Sequence, residues 1–414
     1  MKISIIGAGS TYTPELIEGV AEGRLGAPID ELLFMDVDAE RLQILGALAR
    51  RMFDRAGWPG RLTLTTSRAE ALDGVDACLL QFRIGGSAAR VLDESIPLTH
   101  GVIGQETVGP GGWASALRTI PPALEIAEEL ARRSPKAWLL DFANPVSIVS
   151  QALISEGHRA VGLCNVAIGV QRIASAHLGV EPQRVEVESA GLNHAAWYRD
   201  IRVDGVSTFE SLLLNANAEL AEFAKVPGEE LQRERAVPSY YLRYYRETES
   251  VLAEQRASGT RGGEVARIES ELLNMFKDPQ LDRKPELLER RGGAYYSTAA
   301  LDLIAALTGV RPARLVVNVR NRGAIPDLPS ELVIEALSDV SADGARPIRI
   351  APLGGARKDL MLQLGEFGVA TAAAAASRDR GAALRALARN PLIKSNEEAD
   401  AIGTELLAAH ARFF

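Results

Sequence analysis

Gly7-Ala8-Gly9-Ser10-Thr11-Tyr12 follows the apolar run Lys2–Ile6 and precedes a helix that Pro14 suits as a first-turn residue. This composition at a strand-to-helix turn is suited to binding phosphate. Two glycines permit the tight turn and let the backbone approach closely. The unpaired N–H groups and the positive end of the helix dipole then face the anion. Gly7, Gly9, Ser10 and Thr11 are the expected contacts. Asp36 ends the next apolar run, Leu32–Asp36, where a carboxylate takes the ribose hydroxyls of NAD and repels the extra phosphate of NADP. Tyr12 stands where the common fingerprint has its third glycine. A second chemical group, Cys164, closes the run Ala160–Leu163, at the carboxyl end of a strand, where open α/β sheets place their ligands. Taken alone, a free cysteine reads as a small buried hydrophobe, and this remains the reading for Cys78, inside Ala77–Phe82.

The elements that must position these residues alternate. Strands are predicted at Lys2–Gly7, Leu32–Asp36, Leu62–Thr65, Ala77–Phe82 and Trp138–Asp141, with helices from Pro14, over Ala39–Ala56 and over Ala114–Arg132. Strands alternating with helices make βαβ units and a parallel sheet. This predicts a Rossmann-type domain over residues 1–165. The remainder, 166–414, is less regular. Val185–Ala190 and Tyr198–Val203 read as strands flanking Asn193-His194. Helices are expected over 208–225, 239–257 and 264–276 and from Tyr295, strands at Leu315–Val319 and Leu332–Leu337, and alanine-rich helices toward the end.

Composition narrows the partners. Apolar residues make up 47% and charged residues 24%, as in folded globular chains. The net charge of −8 argues against nucleic acid as a main partner, because phosphate backbones need a basic face. No apolar run is predicted to reach spanning length, the first residues lead directly into a strand, and two cysteines make no disulfide framework. No membrane association and a cytoplasmic location are expected.

Further motifs are foreign to a plain dehydrogenase: Phe82-Arg83-Ile84-Gly85-Gly86, Gly104-Gln105-Glu106-Thr107, Phe142-Ala143-Asn144-Pro145, Cys164-Asn165-Val166, Gly191-Leu192-Asn193-His194, Tyr241-Leu242-Arg243-Tyr244-Tyr245 and Arg291-Gly292-Gly293-Ala294-Tyr295-Tyr296-Ser297-Thr298. With the Gly7–Glu15 loop, and in this order from residue 2 to about residue 330, they resemble the family 4 glycoside hydrolases. Cys164-Asn165-Val166 is most similar to the 6-phospho-β-glucosidase branch, although Ala167 stands where that branch has proline.

The resemblance implies an α/β fold whose second domain is α+β, like that of lactate and malate dehydrogenases. It implies hydrolysis of 6-phospho-β-glucosides with NAD+ and Mn2+ or another divalent metal: transient oxidation at C3, removal of the C2 proton, elimination, water addition and re-reduction. Family 4 thereby departs from the two-carboxylate mechanism of most glycosidases. It further implies Cys164 and His194 as metal ligands, Tyr241 as the base, and Arg90, Asn144, Asn165, Asn193 and Arg261 as substrate contacts. Gln105 and Glu106 are expected to border the nicotinamide, and the assembly to be a homo-oligomer, a dimer or tetramer. Two other readings stay open. One is a net NAD-dependent 2-hydroxy acid dehydrogenase, malate- or lactate-like. The other is a family 4 glycosidase acting on an α-linked or unphosphorylated sugar.

Overall fold

The computed structural model describes residues 1–291 and 296–414, and of Tyr296 and Ser297 only their backbone. Six strands carry the parallel half: β1 (Lys2–Ile6), β2 (Glu31–Met35), β3 (Arg61–Thr65), β4 (Ala77–Leu80), β5 (Trp138–Asp141) and β6 (Ala160–Gly162). They lie in the order β3-β2-β1-β4-β5-β6, that of a doubly wound dinucleotide-binding sheet. The runs of β1, β2, β4 and β5 are buried almost throughout, which is why they read as continuous hydrophobic stretches, whereas the edge strand β3 alternates and is half-buried.

The sheet continues past β6 without a break. β7 (Val185–Leu192), β8 (Ala195–Val203), β9 (Val206–Ser207), β10 (Val237–Pro238), β11 (Ala313–Arg320), β12 (Val333–Ser341) and β13 (Gly344–Pro347) extend it antiparallel. β11 joins it to β6 through the pairing Asn318 to Gly162. β7 and β8 form a hairpin whose two-residue turn is Asn193-His194. The C-terminal helices Gly355–Ser377, Arg380–Leu387 and Asn396–Ala409 fold back onto the helices Gly86–Thr99, Gly109–Arg133 and Val146–Ser155.

The helices differ from expectation in several places, among them the unpredicted Val146–Ser155, Val166–Leu178 and Gly228–Glu234. Gly86–Thr99 lies outside the predicted helices; it follows Gly85 at φ +86° and carries Pro97 in its last turn. Gly109–Arg133 starts five residues before the expected Ala114. The segment 208–225 is two helices that meet at Ala216, and 239–257 is three short pieces, Tyr240–Leu242, Arg243–Arg246 and Thr248–Ser258. The helix Gly355–Ser377 corrects the expectation that no apolar run is long enough to span a membrane: its 23 residues suffice by length and composition, and half of its most apolar stretch is buried inside the molecule. The helix expected from Tyr295 is described from Tyr296 onward, and Tyr295 lies outside the described residues.

Asp141, at the end of β5, is fully buried. It accepts hydrogen bonds from the Ser150 hydroxyl (2.8 Å) and the Ala143 N–H (2.9 Å). Burial outweighs these bonds and pushes its carboxyl up to about 7. The folded state therefore holds this proton more tightly than the unfolded chain. The associated stability is complete below the unfolded value near 4 and is lost as pH rises toward 7. Asp141→Asn never ionises; its Oδ1 can still accept from the Ala143 N–H, and its Nδ2 can donate to the Ser150 hydroxyl oxygen in place of the bond that the carboxylate accepts. It is expected to unfold like the parent near pH 4 and to be more stable at pH 8, by up to about 4 kcal/mol. Thermal unfolding from pH 4 to 8 checks this; parallel curves for the two proteins would refute it.

Candidate active site

A cavity of about 1160 Å³ opens at the carboxyl ends of β1, β2, β4 and β5 and runs toward the Asn193-His194 turn. Ligand pockets for drug-sized molecules span roughly 300–1,000 Å³, so this one has room for a dinucleotide and a sugar together. Gly7, Gly9, Ser10, Asp36, Arg90, Gln105, Glu106, Asn144, Cys164, Asn165, His194, Tyr241 and Arg261 all line it.

The dinucleotide end is built for backbone approach. Gly7 has φ +90°, and a Cβ there would lie 2.7 Å from the Phe82 backbone. At Gly9 a Cβ would meet Asp36 Oδ2 at 2.7 Å. The Gly9 N–H donates to that same oxygen (2.8 Å), and Arg41 Nε donates to the Gly9 carbonyl (2.9 Å). The loop and Asp36 are thus held together, and the carboxylate keeps lone pairs for a ribose. Thr11 does not reach the cavity wall; its hydroxyl is buried without a hydrogen-bond partner among the described residues.

Cys164 precedes the helix Val166–Leu178, whose N-cap is Asn165. The backbone N–H groups of Asn165 and Val166 favour charge on the sulfur, but burial and the nearby Glu335 push the thiol up to about 12. Its Sγ lies 3.4 Å from His194 Nε2. His194 itself sits at φ +63°, a left-handed conformation uncommon outside glycine, of the kind that clusters at functional sites. Its Nδ1 is 2.9 Å from Thr107 Oγ1, and that hydroxyl donates to Gln105 Oε1 (2.8 Å). With its one proton committed to Gln105, Thr107 accepts from Nδ1–H, which leaves the Nε2 lone pair facing the sulfur. Burial lowers the imidazole to about 4, so it is neutral, as a metal ligand must be.

These two donors fit a metal ion. Bonds of about 2.0–2.3 Å to nitrogen and sulfur, at an angle near 100°, put the donors about 3.3 Å apart. Among the described residues no cluster of three or more His, Cys, Asp or Glu side chains stands ready for a metal, so the protein offers this pair alone here.

Tyr241 belongs to the single turn Tyr240–Leu242. Its ring stacks on His194, centroids 3.8 Å apart and planes within 2°, while Tyr240 packs edge-on against Phe223. Burial raises the Tyr241 phenol well above its ordinary value. The charge of Arg90 is coupled to this phenol. Arg90 is itself held by Glu94 (2.8 Å) and Glu106 (3.0 Å). Glu106 also pairs with Arg83, and these cations hold its carboxyl down at about 2 against burial. Glu94 in turn accepts the Gly262 N–H (2.6 Å), which fixes the start of the helix Arg261–Phe276. The Asn144–Pro145 bond is cis.

Asn193 does not line this cavity. Its amide donates to Glu335 Oε2 (2.7 Å) and also bonds the Cys164 sulfur. Glu335, in β12, is 2% exposed, and burial pushes it up to about 7. Asn193 therefore touches the thiol and not the cavity space. Glu335, Thr107 and Glu269 have contacts in this site that motif reading did not assign. A lone carboxylate in the apolar run Leu332–Leu337 was the available signal for Glu335.

The comparisons with known proteins agree with one another. Residues 2–180 match the family described as Family 4 glycosyl hydrolase, and residues 189–393 match the Family 4 glycosyl hydrolase C-terminal domain. A probable 6-phospho-beta-glucosidase from Bacillus subtilis is 40% identical, over 100% of this chain and 97% of its own length. The 6-phospho-beta-glucosidase of Escherichia coli K12 is 35% identical, over 100% and 96%. The 6-phospho-beta glucosidase from Thermotoga maritima, solved with NAD and glucose-6-phosphate, superposes with a TM-score of 0.93 at 29% identity, over 100% of this chain and 99% of that one. Malate dehydrogenase from Cryptosporidium parvum, at 13% identity and a TM-score of 0.53, shares the fold. Matched by both parts of the family along nearly its whole length, this chain belongs to the family 4 glycosyl hydrolases.

Proposed function

We propose that the chain hydrolyses 6-phospho-β-glucosides with NAD+ and a divalent metal ion, Mn2+ or another, as cofactors. The observation that carries this reading is the trio Cys164, His194 and Tyr241: two donors 3.4 Å apart under a stacked phenol, in the same cavity as the dinucleotide loop. Family membership supports it. So do the names of the Bacillus and Escherichia relatives, and a Thermotoga structure solved with manganese, NAD+ and glucose-6-phosphate.

In this reading residues 1–165 hold the cofactor and residues 166–414 complete the catalytic half. Bound NAD+ supplies a reversible hydride acceptor for the sugar C3, which makes the C2 proton acidic. The metal supplies Lewis-acid stabilisation of negative charge on sugar oxygens. Cys164 and His194 would hold it, with Thr107 and Gln105 fixing the histidine tautomer. Tyr241 takes the C2 proton on its phenolic oxygen. Asn144 and Asn165 hydrogen-bond sugar hydroxyls; an amide cannot protonate the leaving group, so Asn165 is not the acid. Asn193, a substrate contact by resemblance, serves here as a positioning residue for Cys164 through its bond to Glu335.

The test is nitrophenol release from nitrophenyl 6-phospho-β-glucoside with NAD+, Mn2+ and a reductant, each omitted in turn, beside the plain β-glucoside and the 6-phospho-α-glucoside. Hydrolysis that needs both cofactors, favours the phosphorylated β-sugar and accumulates no NADH is expected. Net NADH formation would mark a dehydrogenase instead.

Arg261, on the outer wall, pairs with the exposed Glu264 and donates to the Arg290 carbonyl (2.8 Å). A guanidinium held at a cavity mouth suits the sugar phosphate. Arg261→Ala is expected to raise KM for the phosphorylated substrate about tenfold or more and leave the plain glucoside unchanged. Equal effects on both would remove Arg261 from the phosphate.

A further inference from the structure

Arg291, in the helical segment Leu287–Arg291, lines the cavity. It is 7% exposed. Its guanidinium carbon lies 3.9 Å from the centroid of the Tyr12 ring, in the dinucleotide loop. Its Nε has no hydrogen-bond partner, and it makes no ion pair among the described residues. The carboxylates it feels, Glu269 and Glu106, are already engaged. Glu269 bonds Arg41 (2.6 Å) and Ser87; Glu106 bonds Arg83 and Arg90. Arg83 adds repulsion, and burial disfavours the charge further. A cation taken out of water without a partner is costly, and it persists where something outside the chain compensates it. The Tyr12 ring supplies the remaining support, because a guanidinium stacks on an aromatic face and leaves its N–H edge free for an anion. Tyr12 thereby has a reason to occupy the place where other dinucleotide loops have glycine.

We infer that Arg291 is a ligand-binding residue, whose guanidinium, laid on Tyr12, receives a phosphate group in the cavity. The inference rests on the cofactor and substrate reading above. Two phosphates come from that reading, the dinucleotide pyrophosphate and the sugar 6-phosphate, and both offer the oxygens that this fork matches.

The experiment uses full-length wild type, Arg291→Met and Arg291→Lys. Thermal unfolding is recorded without ligand, and calorimetry measures NAD+ alone and glucose 6-phosphate in saturating NAD+. Arg291→Met should melt at or above the wild-type temperature, since an uncompensated buried cation has been removed, yet bind one phosphate ligand at least tenfold more weakly. Arg291→Lys should recover part of that loss. Weaker NAD+ binding identifies the pyrophosphate. Weaker glucose 6-phosphate binding with NAD+ unchanged identifies the sugar phosphate. Unchanged affinity for both ligands, whatever the melting temperature, overturns the assignment to Arg291. Wild-type protein that binds neither ligand overturns the functional reading, and this inference with it, before any variant is compared.

Discussion

Cys164→Ser protein is expected to lose metal-dependent hydrolysis by more than about a hundredfold, since even partners one shell removed from a metal cost about 10–100-fold when replaced. The chain provides only two side-chain donors here among the described residues, so losing one halves the protein's hold on the ion. Serine is nearly isosteric, but its hydroxyl does not ionise where even the more acidic thiol is pushed up to about 12. A metal must displace the thiol proton to bind Cys164, so binding should release about one proton in the parent and none in the variant. Calorimetry of Mn2+ binding in buffers of different ionisation enthalpy counts that proton. NAD+ binding should be unchanged, because the Gly7–Thr11 loop and Asp36 make their own bonds. Retained activity, or equal proton release, would remove Cys164 as a ligand.

The parallel half of the fold was legible because most of its strands are short, largely apolar runs bounded by turn residues, buried between helices on both faces. The antiparallel half was less so. β9, β10 and β13 are two to four residues long and carry no periodicity to read. The helix Gly109–Arg133 hides its first turn behind Gly109-Pro110-Gly111-Gly112, which reads as a loop. In the site, motif positions led to Cys164, His194 and Tyr241, which the fold brings together on three separate elements. The second layer was not legible. Glu335 meets Asn193 across 142 residues, Glu269 meets Ser87 across 182, and such pairs leave no local pattern. Arg291 shows the same limit: in sequence it opens a motif but carries no assigned role, and only its burial beside engaged carboxylates gives it one.

Tyr241→Phe is expected to slow exchange of the substrate C2 proton with solvent deuterium by about 10²–10⁴-fold, the range that a positioned general base contributes. Phenylalanine keeps the ring that stacks on His194 at 3.8 Å, so metal and NAD+ affinities should hold and the loss should fall on kcat. The phenol alone is a poor base in the opposite sense from what chemistry needs. Burial and the charges of Tyr240, Glu106 and Cys164 all raise it, and a phenol above its ordinary value is neutral at working pH. Cations must therefore bring it down, and the arrangement offers two: Arg90, whose charge is coupled to Tyr241, and a metal at Cys164 and His194. Hence the phenolate should form only in the metal-loaded protein. A difference titration of tyrosine absorbance, with and without Mn2+, should show one phenol moving to lower pH in the parent and none in Tyr241→Phe. C2 exchange at the parent rate in the variant would place the base elsewhere, and a shifted phenol that persists in Tyr241→Phe would point to its neighbour Tyr240, whose ring lies 4.5 Å away.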